Sequence, residues 1–201
     1  TIENSYNTGS VNGSKYVGGV CGYNSSNTIR NSYNTGSVSG LEKVGGVCGD
    51  NGAGTITYSY YLENCNANGT TLDCNEGIPQ TSEQFASGEV AYLLGGIWGQ
   101  KIEKDKLPVL NGKKVYENKT YTGCCEKYQG DITYVYSNTQ ANPVYSEHQY
   151  ENGICTIGGD YEPAQLKNNY YQISNAGNLL WFAKQVNSGK LYINAILTTD
   201  I

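Results

Sequence analysis

The chain repeats itself, and that constrains what it can fold into more than any other feature of the sequence. Thr1-Ile2-Glu3-Asn4-Ser5-Tyr6-Asn7-Thr8-Gly9-Ser10-Val11 returns about 27 residues later as Thr28-Ile29-Arg30-Asn31-Ser32-Tyr33-Asn34-Thr35-Gly36-Ser37-Val38. Val17-Gly18-Gly19-Val20-Cys21-Gly22 likewise returns as Val44-Gly45-Gly46-Val47-Cys48-Gly49. A third copy opens at Thr55-Ile56-Thr57-Tyr58-Ser59-Tyr60 and then decays. A unit this short cannot bury an apolar face alone, so it must bury it against its neighbours.

The positions that recur say how. Ile2, Ile29 and Ile56, Val11 and Val38, Val17 and Val44, Val20 and Val47, and Cys21 and Cys48 are apolar and small or β-branched. Stacked copies would turn them into continuous apolar files, the predicted repeat core. Asn7 with Asn34, and Asn24 with Asn51, would form amide ladders. Positions that vary, such as Glu3/Arg30 and Lys15/Glu42, are mostly polar and suit an outer face. At about 3.3 Å per residue, one copy makes either a circuit of a flattened β-coil or two shorter strand pairs. If the copies stack, Val20 and Val47 point inward on adjacent rungs about 5 Å apart.

These segments resemble the GLUG repeat, with its isoleucine-asparagine-serine-tyrosine strand, its threonine-glycine-x-valine turn and its V-G-G-L-V-G segment. Cys21 and Cys48 stand where that segment carries valine or leucine. The resemblance covers roughly the first third of the chain. It implies a large bacterial cell-surface or secreted protein, in some cases an adhesin, and it transfers no active site. Thr1 falls inside a repeat with no Met before it, so the chain reads as a piece of such a protein.

Composition agrees with β structure built by repetition. Tyr is 19 and Gly 26, whereas Phe is 2 and Met is absent, which leaves little for one large core. The charged fraction is 15%, too low for a disordered chain. A formal charge of −5 argues against nucleic acid. The basic run Lys101, Lys104, Lys106, Lys113 and Lys114 is interleaved with Glu103 and Asp105 and reads as a solvated loop. No apolar run approaches the roughly 18 residues of a membrane span, so no membrane insertion is expected.

After the repeats, Thr81 is a predicted N-cap, with Gln84 completing a capping box. Phe85, Val90 and Leu94 lie on the apolar face of a short helix interrupted at Gly88 and stopped at Gly95-Gly96. This helix is expected to cap the stack, packing on the last rung near Ile56. In GLUG-bearing proteins a segment similar to the one from Glu83 to Leu110 closes the repeat block. Near the end, Ser174 or Asn175 caps a second helix with Ala176, Leu179, Leu180, Phe182, Ala183 and Val186 on one stripe. Gly189 stops it, and a strand follows from Leu191 to Leu197.

Cysteine carries most of the chemistry on offer. Cys21 and Cys48 read as buried thiols acting as small hydrophobes. Cys65 and Cys74 flank one loop and are a candidate disulfide in an extracellular setting. Cys155 is a candidate disulfide partner for Cys124 or Cys125. Related surface proteins show a Cys, a His-x-Tyr and a Cys-x-x-Cys resembling a Cys3His zinc site. By that resemblance Cys124, Cys125, His148 and Cys155 form a candidate degenerate metal site, because Gly158 stands where the fourth ligand would be. No cofactor, and no metal requirement for folding, is expected on that ground.

Catalysis finds little support. His148 is the single His, no nucleophile elbow or metalloprotease helix is present, and no carboxylate pair recurs on the repeats. Tyr16, Tyr23, Tyr58, Tyr60, Tyr61, Tyr134, Tyr136, Tyr145, Tyr150, Tyr170 and Tyr171 offer flat faces for sugar rings or protein partners, or simply suit strand surfaces.

The expected architecture is mainly β: a short β-solenoid-like repeat block with a capping helix, a small β-rich module and a C-terminal helix leading into a further repeat block. The expected divisions are 1–64 (repeats), 65–118 (loop, capping helix and closing segment), 119–165 (Cys/Tyr-rich module) and 166–201 (strand-helix-strand). The expected role is non-catalytic surface architecture or adhesion, extracellular, with a host glycan or protein as ligand. The alternative is a carbohydrate-binding accessory region of a secreted hydrolase.

Overall fold

The computed structural model of the chain describes residues 1–66 and 77–201. It is mainly β, and its sheets are small sets of short strands. Two compact units divide it: Thr1–Asn118 with Val135–Ala141, and Lys119–Tyr134 with Asn142–Ile201.

In the first unit each short strand of one copy pairs in parallel with its own equivalent in the next. Ile2 lies opposite Ile29, and Ile29 opposite Ile56. Tyr6, Tyr33 and Tyr60 align, as do Val11 with Val38, Val17 with Val44, and Cys21 with Cys48. Parallel strands need a crossover of a dozen or more residues. Here the rest of the copy supplies it, so the repeat length sets the register. Val17, Ile29, Val38, Val44, Val47, Cys48, Tyr61 and Cys65 are buried together, with Ile2, Val11, Val20, Cys21 and Ile56 packed against them. Val47 is fully buried and Val20 partly so, and the Val20 N–H donates to the Val47 carbonyl at 2.9 Å. The expected adjacency of these two valines is therefore present.

The amide ladders are present too. Asn7 Nδ2 donates to Asn34 Oδ1 and Asn24 Nδ2 to Asn51 Oδ1, both at 2.8 Å. Asn34 is fully buried, accepts the Gly36 N–H and donates to the Gly36 carbonyl. Asn34→Ala would leave that N–H and carbonyl buried without partners. We expect it to cost about 2–3 kcal/mol, against under about 1 kcal/mol for half-buried Asn7→Ala, as read by urea denaturation. Equal losses would mean that the ladder does not order the stack. Cross-copy ion pairs, Lys15 with Glu42 and Arg30 with Glu3, lie exposed on the outer face and contribute little.

Two short helices follow. Helix α1 (Ser82–Ser87) starts with the predicted capping box of Thr81 and Gln84 and ends at Gly88, whose φ of 94° breaks it from α2 (Glu89–Leu94). Phe85, Val90 and Leu94 are buried, as expected of the cap, but not on Ile56. They pack with Trp98 against Tyr33 and Tyr60, while Ile56 belongs to the interior cluster. The reason is strand alternation: Tyr33 and Asn34 point to opposite faces, so the tyrosine file faces away from the interior cluster and needs its own cover. The Tyr33 ring stacks on Tyr6 at 5.4 Å and meets Trp98 edge-on at 5.2 Å. Its hydroxyl donates to the Pro108 carbonyl, and Trp98 Nε1 donates to the Asn31 carbonyl.

The rung edge at Tyr60–Leu62 is instead closed by a strand that the sequence did not suggest, Ile78–Gln80, paired in parallel. Pro79 lies within it and removes a backbone donor, which suits a strand at the sheet edge. Trp98–Gly99 pairs antiparallel with Val109–Leu110, and buried Gln100 donates to the carbonyls of Phe85, Ala86 and Asp105.

In the second unit, Tyr150–Glu151 and Ile154–Cys155 form a hairpin across Asn152-Gly153, both with positive φ. Gln165–Lys167 and Tyr170–Ile173 form another across Asn168-Asn169. Helix α3 (Ala176–Asn187), capped by Asn175, then crosses over to Asn194–Leu197, which pairs in parallel with Tyr170–Ile173. The helix stripe differs from expectation. Leu179 and Leu180 are exposed, and Trp181 and Phe182 pack on Tyr171. Among the described residues, no helix is long and apolar enough to cross a membrane.

Candidate functional site

The second unit brings three metal-ligating side chains to one point. Cys124 sits in a tight loop after the strand segment that aligns Thr120 with Val144 and Tyr121 with Tyr145. The loop is closed by Thr122 N–H to Asp131 O, Gly123 N–H to Gln129 O and Tyr128 N–H to Cys125 O. Cys155 ends the second arm of the Tyr150–Cys155 hairpin, and its backbone is tied down by Cys155 N–H to Asp160 O and Gly159 N–H to Cys155 O. His148 enters the same point just before that hairpin, its ring stacked on Tyr150 at 5.6 Å and 11°.

The geometry is close. Cys155 Sγ lies 3.6 Å from Cys124 Sγ and 3.4 Å from His148 Nδ1. The ligating atoms of all three residues fall within 4.8 Å of one another. The Gly158 N–H donates to Cys155 Sγ at 3.4 Å. Cys124, Cys125 and Cys155 carry free thiols, so no S–S bond joins Cys155 to either neighbour. Cys125 is half-buried and stands outside the triad.

The two buried thiols differ in acidity. Burial pushes the Cys124 thiol up to about 11, helped by the thiols of Cys155 and Cys125. Burial works against the Cys155 thiolate as well. The N–H of Gly158, the ring of His148, the N–H of Ile157 and the Cys124 thiol outweigh it and bring Cys155 down to about 6.

The other cysteines lie elsewhere. Cys21 and Cys48 stack in the repeat interior, their thiols turned to the carbonyls of Tyr23 and Asp50. Cys65 is buried in the same core, and burial raises its thiol. Its proposed partner Cys74 lies outside the described residues. The tyrosines divide as well. Tyr60 and Tyr61 are both buried, Tyr60 under the short helices and Tyr61 in the interior cluster, whereas Tyr16 and Tyr23 stay exposed with ring centroids 5.4 Å apart. What sequence reading missed at the triad is the Gly158 N–H as a thiolate donor. A backbone group leaves no trace in residue type, beyond the Gly158-Gly159 turn itself.

Residues 13–39 match the family model of the GLUG motif, a span one repeat long that joins the first copy to the second. No curated protein and no solved structure matches the chain.

Proposed function

We propose that this chain is a non-catalytic region of a large bacterial cell-surface or secreted protein, serving as structural or adhesive architecture. Its first unit is a short β-solenoid-like block. The observation that supports this most is the in-register parallel pairing of Ile2, Ile29 and Ile56 and of every other repeated strand. Each further copy of this kind would add a rung of about 4.8 Å without needing a new type of core. Length can then grow by duplication, while variable outer positions such as Tyr16/Lys43 and Tyr23/Asp50 meet the surroundings.

Antibodies raised against this chain should stain intact, unpermeabilised cells of the producing bacterium. Staining only after permeabilisation would remove the surface assignment.

The second reading, a carbohydrate-binding accessory region of a secreted hydrolase, draws support from the exposed Tyr16–Tyr23 ring pair. On that reading a glycan array should return a saccharide whose binding falls at least about tenfold in Tyr23→Ala, the loss of about 1.4 kcal/mol of ring contact. An array without hits leaves the architectural reading alone.

A further inference from the structure

The second unit is held together by little apolar material. Its buried apolar residues, among those described, are Tyr121, Cys124, Cys155, Ala164 and Ile173, and both large hydrophobic clusters lie in the first unit. Units of roughly 70–80 residues rarely hold together on a small core and commonly use disulfides or a structural metal as staples. Two of the five buried residues are cysteines whose sulfurs face each other, with an imidazole nitrogen beside them.

The distances between these atoms are compatible with a shared ion. Zinc bonds of about 2.3 Å to sulfur and 2.0–2.1 Å to nitrogen, set tetrahedrally, put sulfurs ~3.8 Å apart and sulfur ~3.6 Å from nitrogen. The observed separations are 3.6 Å and 3.4 Å. Two thiolates and an imidazole are a borderline-soft donor set, which suits zinc over magnesium or calcium. The supporting contacts are in place too: Tyr150 stacks on the imidazole and the Gly158 N–H donates to the Cys155 sulfur.

We propose that Cys124, His148 and Cys155 bind one zinc ion in a tetrahedral Cys2His centre, with water in the fourth position, and that this ion staples the second unit. Gly158 borders the centre, since a Cβ there would stand 2.8 Å from Cys124 Sγ. The expectation of metal-free folding treated Gly158 as a fatal gap in the ligand set. The folded chain gathers the remaining three ligands without it.

The test is titration of the reduced, metal-free chain with Co2+ and then Zn2+. One equivalent of Co2+ should bind with the visible bands of tetrahedral thiolate coordination, and Zn2+ should displace it. Zn2+ should also shield Cys124 and Cys155 together from alkylation, a measurement on the wild-type chain that does not depend on any variant folding. His148→Gln should weaken binding by at least about tenfold. Metal removal should lower the melting temperature. Failure of the reduced chain to take up a stoichiometric ion would overturn the proposal. So would octahedral Co2+, or a Cys124–Cys155 disulfide whose reduced form binds no metal.

Discussion

Gly36→Ala should destabilise the first unit by about 3 kcal/mol, whereas Gly9→Ala should cost under about 0.5 kcal/mol. The two glycines are equivalent repeat positions, each within Asn-Thr-Gly-Ser, and each N–H donates to the Asn side chain two residues earlier. Neither has the positive φ that would penalise alanine for its own conformation. What differs is the neighbouring copy. A Cβ on Gly36 would meet the Gly9 carbonyl oxygen at 1.9 Å and Asn7 Nδ2 at 2.7 Å. A Cβ on Gly9 would meet only Asn7 Oδ1, at an ordinary 3.6 Å. The obstacle at Gly36 is backbone, which cannot swing aside. Moving it would break the Thr35 N–H to Asn7 O and Val11 N–H to Ser37 O bonds that join the copies. Because both substitutions change the unfolded chain alike, their difference reports the stacking alone. Urea unfolding measures it, and equal midpoints for the two variants would disprove close stacking of the first two copies.

The register of the stack was legible in the sequence because apolar and glycine positions recur together, and a strand slip would turn each buried side chain outward. The recurrence puts Ile29, Val38, Val44 and Cys48 on the inner face, and all four are buried. Thr81 and Gln84 were equally legible, since a capping box is a local hydrogen-bond pattern. Partner choice was not. Amphipathicity shows that Phe85, Val90 and Leu94 will be buried but carries no information on whether Ile56 or Tyr33 receives them. The strand Ile78–Gln80 escaped notice because Pro79 argues against a strand except at an edge. Cys124, His148 and Cys155 were nominated as donors, but their convergence depends on the hairpin at Asn152-Gly153 and the loop after Tyr121. Spacing between residues 124 and 155 cannot encode such a path.

Phe85→Asp should cost more than about 4 kcal/mol and drive the chain into aggregates. Phe85 is 1% exposed and lies in a cluster with Tyr33, Tyr60, Val90, Leu94 and Trp98, its ring 5.6 Å from that of Tyr33. A carboxylate there loses its water and gains no partner from those side chains. Lys106 borders the apolar cavity beside Phe85 but is itself exposed, so pairing with it would leave most of the desolvation cost in place. Losing this cover would also bare the tyrosine file and the short parallel strands beneath it, a surface ready to pair with another chain. Gln84 is not the neutral control that its polarity suggests, because it completes the capping box with Thr81. Ser82→Asp is the better one. It is exposed in the first turn of α1, where a negative charge is favoured. Phe85→Leu keeps the site apolar and should lose only about 1–2 kcal/mol, which separates loss of volume from burial of charge. Light scattering and thermal melts of the three variants give the reading. If Phe85→Asp melts and stays soluble as Ser82→Asp does, α1 is no cover for the tyrosine file.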